Sequence, residues 1–159
     1  NLGDLYLRNN QLKRAAESFH EAIRLAALFG MEGTVHLNRG FLGYTKARLG
    51  QVEDGADMLG IAKDALKDIT NEHVSWLQLR LLDAEVAHML GQTARARREL
   101  EEMLADFHSS NEVSFAQWAQ DALGRIERAT LPNMISSVMD DSEDEGNPEQ
   151  DTIRTRPIR

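Results

Sequence analysis

Apolar residues along this chain recur every three or four positions, in blocks separated by short polar turns. That is the period of a helix with one buried face. In the block from Gln11 to Leu28, Leu12, Ala15, Ala16, Phe19, Ala22, Ile23 and Ala26 share one broad side. Asn9-Asn10 before it and Phe29-Gly30 after it read as turns, because Asn and Gly accept left-handed backbone angles. The same pattern predicts helices over Asn1 to Arg8, Glu32 to Leu49 and Val52 to Ile69. The last of these is expected to bury Met58, Leu59, Ala62, Leu66 and Ile69. A fifth helix is predicted from about Asn71 to Leu90, burying Val74, Leu77, Leu81, Ala84 and Met89. A sixth opens at Thr93, a good N-cap residue, and buries Ala96, Leu100, Met103, Leu104 and Phe107. A seventh is expected to open in a capping box, Ser109 to Glu112, and to run to about Ala129. Its buried face is Val113, Phe115, Trp118, Ala122 and Ile126. Alternation of the strand type persists nowhere beyond a few residues.

The blocks repeat. Asn10-Gln11-Leu12 aligns with Gly50-Gln51-Val52 and Gly91-Gln92-Thr93, at spacings of 40 and 41 residues. From each turn a small residue follows (Ala15, Gly55, Ala96), then a large one (Phe19, Leu59, Leu100), then Ala22, Ala62 and Met103. Leu2-Gly3 returns as Leu42-Gly43, and Leu123-Gly124 fits a fourth copy. A fixed internal period is the mark of a repeat architecture, in which each helical hairpin hides its apolar sides against the next.

These residues resemble the tetratricopeptide repeat. The first copy matches that family's pattern at Leu2, Gly3, Tyr6, Ala15, Phe19 and Ala22. The second keeps Leu42, Gly43 and Ala62 but has Gly55 and Leu59 for the usual Ala and Phe. The third departs further, with Asp83-Ala84 in place of Leu-Gly. The period is longer than the usual repeat of about 34 residues, so the chain is similar to the long-helix variety. The resemblance covers residues 1–129 and implies an all-α, right-handed superhelical solenoid of about three and a half antiparallel helix pairs. In this family the first helix of each pair lines a concave channel. Carried over by position, the implied partner-binding residues are Asn1, Asp4 and Arg8, then Leu37, Tyr44 and Arg48. The third copy supplies Gln78, Glu85 and His88, and the fourth Trp118, Asp121 and Arg125. The family's carboxylate-gripping subset needs Lys and Asn where Gly40, Phe41 and Leu81 stand or adjoin, so that mode is disfavoured.

Composition narrows the function. Residues 1–129 carry 19 acidic and 15 basic side chains, so the repeat region lacks the basic footprint of a nucleic-acid binder. No apolar run is long enough to span a membrane, and cysteine is absent, which removes disulfides and thiolate metal sites. Five histidines (His20, His36, His73, His88, His108) form no His-Glu-x-x-His pair, and surface or groove positions explain them. No Gly-x-Ser-x-Gly elbow and no phosphate loop is present. Arg95, Arg97 and Arg98 face Glu99, Glu101 and Glu102 within a turn, which reads as a self-paired helix face. Trp118 and Phe115 read as core of the last helix, and Trp118, if exposed, as the best hot-spot candidate.

All three prolines lie beyond residue 131, and Asp140 to Asp151 holds seven acids and no base. Residues 130–159 are therefore expected to form an acidic, disordered tail. Within it Met134, Ile135, Val138 and Met139 could pack back on the repeats as a short helical turn, and Ser142 stands in an acidic phosphorylation context. Asn1 is no initiator methionine, which suggests a piece of a longer chain. The expectation is a cytoplasmic, non-catalytic interaction module, a scaffold or adaptor, with no cofactor and another protein as partner. The alternative is a regulatory C-terminal repeat domain of a larger bacterial kinase, ATPase or transcription regulator.

Overall fold

The computed structural model describes residues 2–110 and 112–140, with side chains through residue 130. These residues form seven helices and, among the described residues, no strand. They are α1 (Leu2–Arg8), α2 (Leu12–Leu28), α3 (Glu32–Arg48), α4 (Val52–Lys67), α5 (His73–Met89), α6 (Thr93–Ser110) and α7 (Val113–Asp140). None is long and apolar enough to cross a membrane. The chain divides into two compact units, Asn1–Ile126 and Glu127–Arg159. The second unit is described only along the C-terminal part of α7.

The turns follow from local chemistry. Asn10, Gly30, Gly50, Asn71 and Gly91 all take positive φ, from 56° to 94°. At the α3–α4 turn the Gly50 amide donates to the Ala47 carbonyl and the Gln51 amide to that of Lys46, at 3.0 and 3.1 Å. This paired bonding satisfies the last carbonyls of a helix and needs a left-handed residue between them. The turns after α1, α2 and α5 repeat it with Asn10, Gly30 and Gly91.

Two linked cores lie in the first unit. One joins α1 through α5 around Phe19, Phe41, Leu59, Leu66 and Leu79. The other joins α5, α6 and α7 around Leu81, Leu100, Phe107, Ala119 and Ile126. Helix α5 serves both: Leu79, Leu82 and Val86 face the first, and Leu81, Ala84 and Ala87 the second. Helix α3 also packs against α5 as well as α2 and α4. It buries ten residues, and its two buried polar side chains, Asn38 and Thr45, bond carbonyls of their own helix at 2.8 and 2.7 Å. The even helices bury a single stripe, as Ala15, Phe19 and Ala26 do in α2.

Small residues let the backbones meet. A methyl at Gly43 would stand 2.7 Å from the Gly55 carbonyl oxygen, and one at Gly3 would sit 2.6 Å from the Phe19 ring. In the third copy the equivalent pair, Ala84 and Leu100, is fully buried.

Several expectations need correction. Ser109 and Ser110 lie in the last turn of α6, where both hydroxyls donate to the Asp106 carbonyl at 2.8 and 2.9 Å, so no capping box opens α7. Thr93 is the first helical residue of α6 rather than its cap. Val74, Met89 and Val113 are exposed, not buried. Helix α7 continues past residue 129 to Asp140, so the expected tail begins as helix; the acid-rich composition that argues against folding starts only at Asp140. The side chains of Met134, Ile135, Val138 and Met139, all of Ser142, and Asn1 lie outside the described residues.

Candidate partner-binding groove

The odd-numbered helices of the first unit line an open groove of about 850 Å³. Helix α1 contributes Asp4, Leu7 and Arg8, and α3 contributes Phe41, Tyr44 and Arg48. Helix α5 adds Gln78, Leu82, Glu85 and Met89. Helix α7 adds Ser114, Phe115, Gln117, Trp118, Asp121 and Arg125.

The centre of the groove is a hydrogen-bonded row. Tyr44 donates its hydroxyl to Glu85 Oε2 at 2.9 Å. Arg125 donates Nη2 to Glu85 Oε1 at 2.7 Å, and the Trp118 indole N–H approaches the same oxygen at 3.4 Å. Tyr44, Glu85 and Arg125 stand 41 and 40 residues apart, so they occupy one register position in three successive copies. The Glu85 side chain is 11% exposed, and three donors from two helices hold its charge.

That environment fixes the proton on Tyr44. Burial pushes its phenol well above the usual tyrosine range, and the neighbouring Glu85 carboxylate adds to the shift by repelling a phenolate and by accepting the phenol's hydrogen bond. Up to about pH 10 the phenol is protonated whether the chain is folded or not, so its contribution is complete there. Above that the unfolded chain releases the proton while the folded one keeps it, and stability falls as pH rises. Urea midpoints measured from about pH 8 to 11 should drop more steeply for the natural chain than for Tyr44→Phe. Parallel curves would refute this.

The charges at the rim are partly spent within the protein. Arg8 Nε pairs with Asp4 at 3.0 Å. Arg48 donates to the Asn10 side-chain carbonyl at 2.7 Å and lies over the Tyr44 ring, 5.8 Å from its centroid. Asp121 accepts from the Gln117 amide at 2.9 Å.

Nine residues expected from position therefore meet in one groove: Asp4, Arg8, Tyr44, Arg48, Gln78, Glu85, Trp118, Asp121 and Arg125. Two do not. Leu37 packs against the first core. His88 is half-buried and pairs its Nδ1 with Thr93 Oγ1 at 3.0 Å, tying the end of α5 to the start of α6. The miss at His88 is a slip of one residue. The second and third copies are 41 apart, so the position matching Arg8 and Arg48 is Met89, which does line the groove. Keeping that offset would have found it, and would also have paired Phe41 with Leu82, both of which line the groove. Phe115, expected in the core, is half-buried: it stacks on Phe107 with centroids 5.5 Å apart and is also part of the groove wall. Trp118 is likewise packed against both cores while lining the groove.

Elsewhere, Arg95 of the basic cluster pairs with Glu99 of its own helix at 2.9 Å and approaches Asp83 of α5 at 3.5 Å. No group of three or more His, Asp or Glu side chains among the described residues could hold a metal ion. No family model, curated protein or solved structure matches this chain.

Proposed function

We propose that this chain is a non-catalytic protein-interaction module of the tetratricopeptide type, a scaffold or adaptor piece. In this reading its helix pairs stack as a right-handed superhelix and dock a segment of another protein in the groove. The observation that carries it is the row Tyr44–Glu85–Arg125. Side chains one repeat apart touch across α3, α5 and α7, the kind of contact that serial stacking of hairpins would bring about. The groove also suits binding better than chemistry. The Tyr44 hydroxyl and the Glu85 carboxylate are both committed to bonds within the protein. An apolar wall of Phe41, Leu82, Phe115 and Trp118 with a polar rim is the composition of an interface core.

Trp118→Ala tests this. Removing a central aromatic anchor typically costs about 2 kcal/mol or more, roughly thirtyfold in affinity. Proteins captured from the source cell by the natural chain should be lost with Trp118→Ala and retained with Ile61→Ala, an exposed apolar residue outside the groove. Circular dichroism of both variants separates a loss of docking from a loss of fold. Equal capture by the two would reject the groove as the docking surface.

A further inference from the structure

We infer that the segment this groove takes is an acidic–apolar stretch of another protein, with a carboxylate at Arg48 and an apolar side chain against Met89 and Trp118. The inference rests on the docking reading above and names its partner's chemistry. It comes from which groove charges the protein already neutralises. Asp4 and Arg8 form one ion pair, and Glu85 and Arg125 another. Arg48 is different. Its contacts are a neutral amide oxygen on Asn10 and the face of Tyr44, neither of which cancels its charge. No ion pair to Arg48 occurs among the described residues.

Position makes that charge useful. Arg48 is half-buried on the groove wall, its guanidinium already oriented by Asn10 and Tyr44, so little side-chain freedom remains to be lost on binding. A guanidinium so held presents its remaining donors to a carboxylate, the pairing with the strongest charge-assisted bonds. One repeat further along the same row the residue is Met89, exposed and flexible, a side chain that adapts to apolar groups of varied shape. The row thus runs from a cation to an apolar surface. Across the groove on α7, Asp121 carries the opposite charge and, among the described residues, accepts from the neutral Gln117 amide and forms no ion pair, so a partner's base is favoured there. The sign pattern sets the direction in which the segment lies.

The test is selection of a random peptide library, displayed on phage, against the purified whole chain and in parallel against Arg48→Glu and Trp118→Ala. Peptides selected by the natural chain should share an acidic residue a few positions from Leu, Met or Phe. As synthetic peptides they should weaken about tenfold on Arg48→Glu and with rising salt. Selection on Arg48→Glu should exchange the acid for Lys or Arg. Unchanged thermal melting of Arg48→Glu establishes that the fold is intact. Peptides that require Trp118 yet carry no acid, and bind Arg48→Glu equally, would overturn the inference and leave the docking reading standing. An absence of peptides that depend on Trp118 would overturn the docking reading itself. A chain that sediments as a dimer, and as a monomer with Arg48→Glu, would make the occupant a second copy and also overturn the inference.

Discussion

Replacing Gly55 with alanine should lower the melting temperature, although alanine is the better helix former by about 0.5–1 kcal/mol. The added methyl would stand 2.5 Å from the Gly43 carbonyl oxygen and 2.6 Å from the Ala47 amide nitrogen. Both are backbone atoms of α3, so no side-chain rotation relieves the clash. The two helices must separate, and Leu59, Ala62 and Leu66 lose contacts along the same crossing. Overpacking of this kind costs about 1–3 kcal/mol net, which corresponds to a drop of roughly 3–10 °C for a domain of this size. Gly43→Ala should act in the same direction. Gly60, in the same helix, has nothing within 4 Å of where a Cβ would be. Gly60→Ala should therefore stabilise, by about 0.5–1 kcal/mol. Thermal circular dichroism reads all three, and equal responses at Gly55 and Gly60 would disprove the close crossing.

Glu85→Ala should be the most destabilising single change in the groove. It leaves the buried Tyr44 hydroxyl without its acceptor and deprives Arg125 and Trp118 of theirs. An unpaired buried donor costs about 1–3 kcal/mol. Arg125 is half exposed and can turn to water, so its share is small. We expect a loss of about 2–3 kcal/mol in urea unfolding. Glu85→Gln should cost less, because the amide oxygen still accepts from one neighbour. Adding Tyr44→Phe to Glu85→Ala should return part of the loss by removing the orphaned hydroxyl. The coupling expected in that cycle is about 1 kcal/mol, and a coupling of zero would mean the row is not a structural unit.

Helix positions and turns were legible because their causes are local. Gly30, Gly50 and Gly91 close helices through backbone angles that glycine accepts, and a reader of the chain meets them in order. The internal period was legible for the same reason, and the family resemblance built on it implied most of the residues that line the groove. What escaped was set by neighbours distant in sequence. Asp83 stands where the first two copies carry leucine, a departure with no visible cause along the chain. In the fold it pairs with Lys63 at 2.5 Å and approaches Arg95 at 3.5 Å, joining α4, α5 and α6. Ser109 and Glu112 have the spacing of a capping box, but the serine hydroxyls found a carbonyl of their own helix first. Val74 and Val113 fit the apolar period of their helices yet face outward at the first turn, where no neighbouring helix covers them.

The chain by itself determined that it would be helical, where α1, α2, α3 and α5 would end to within a residue, and which small residues would recur at the crossings. Each of these is decided within a turn or two of backbone. The family resemblance implied Tyr44 and Glu85 for the groove, but the tertiary structure decided that Phe41, Leu82 and Met89 of α3 and α5 face it too. Both helices are apolar on several sides, so their own pattern prefers no single face. Only packing against neighbours on both flanks left Tyr44, Glu85 and Met89 on the open side, and only there could Arg125 and Trp118 reach Glu85.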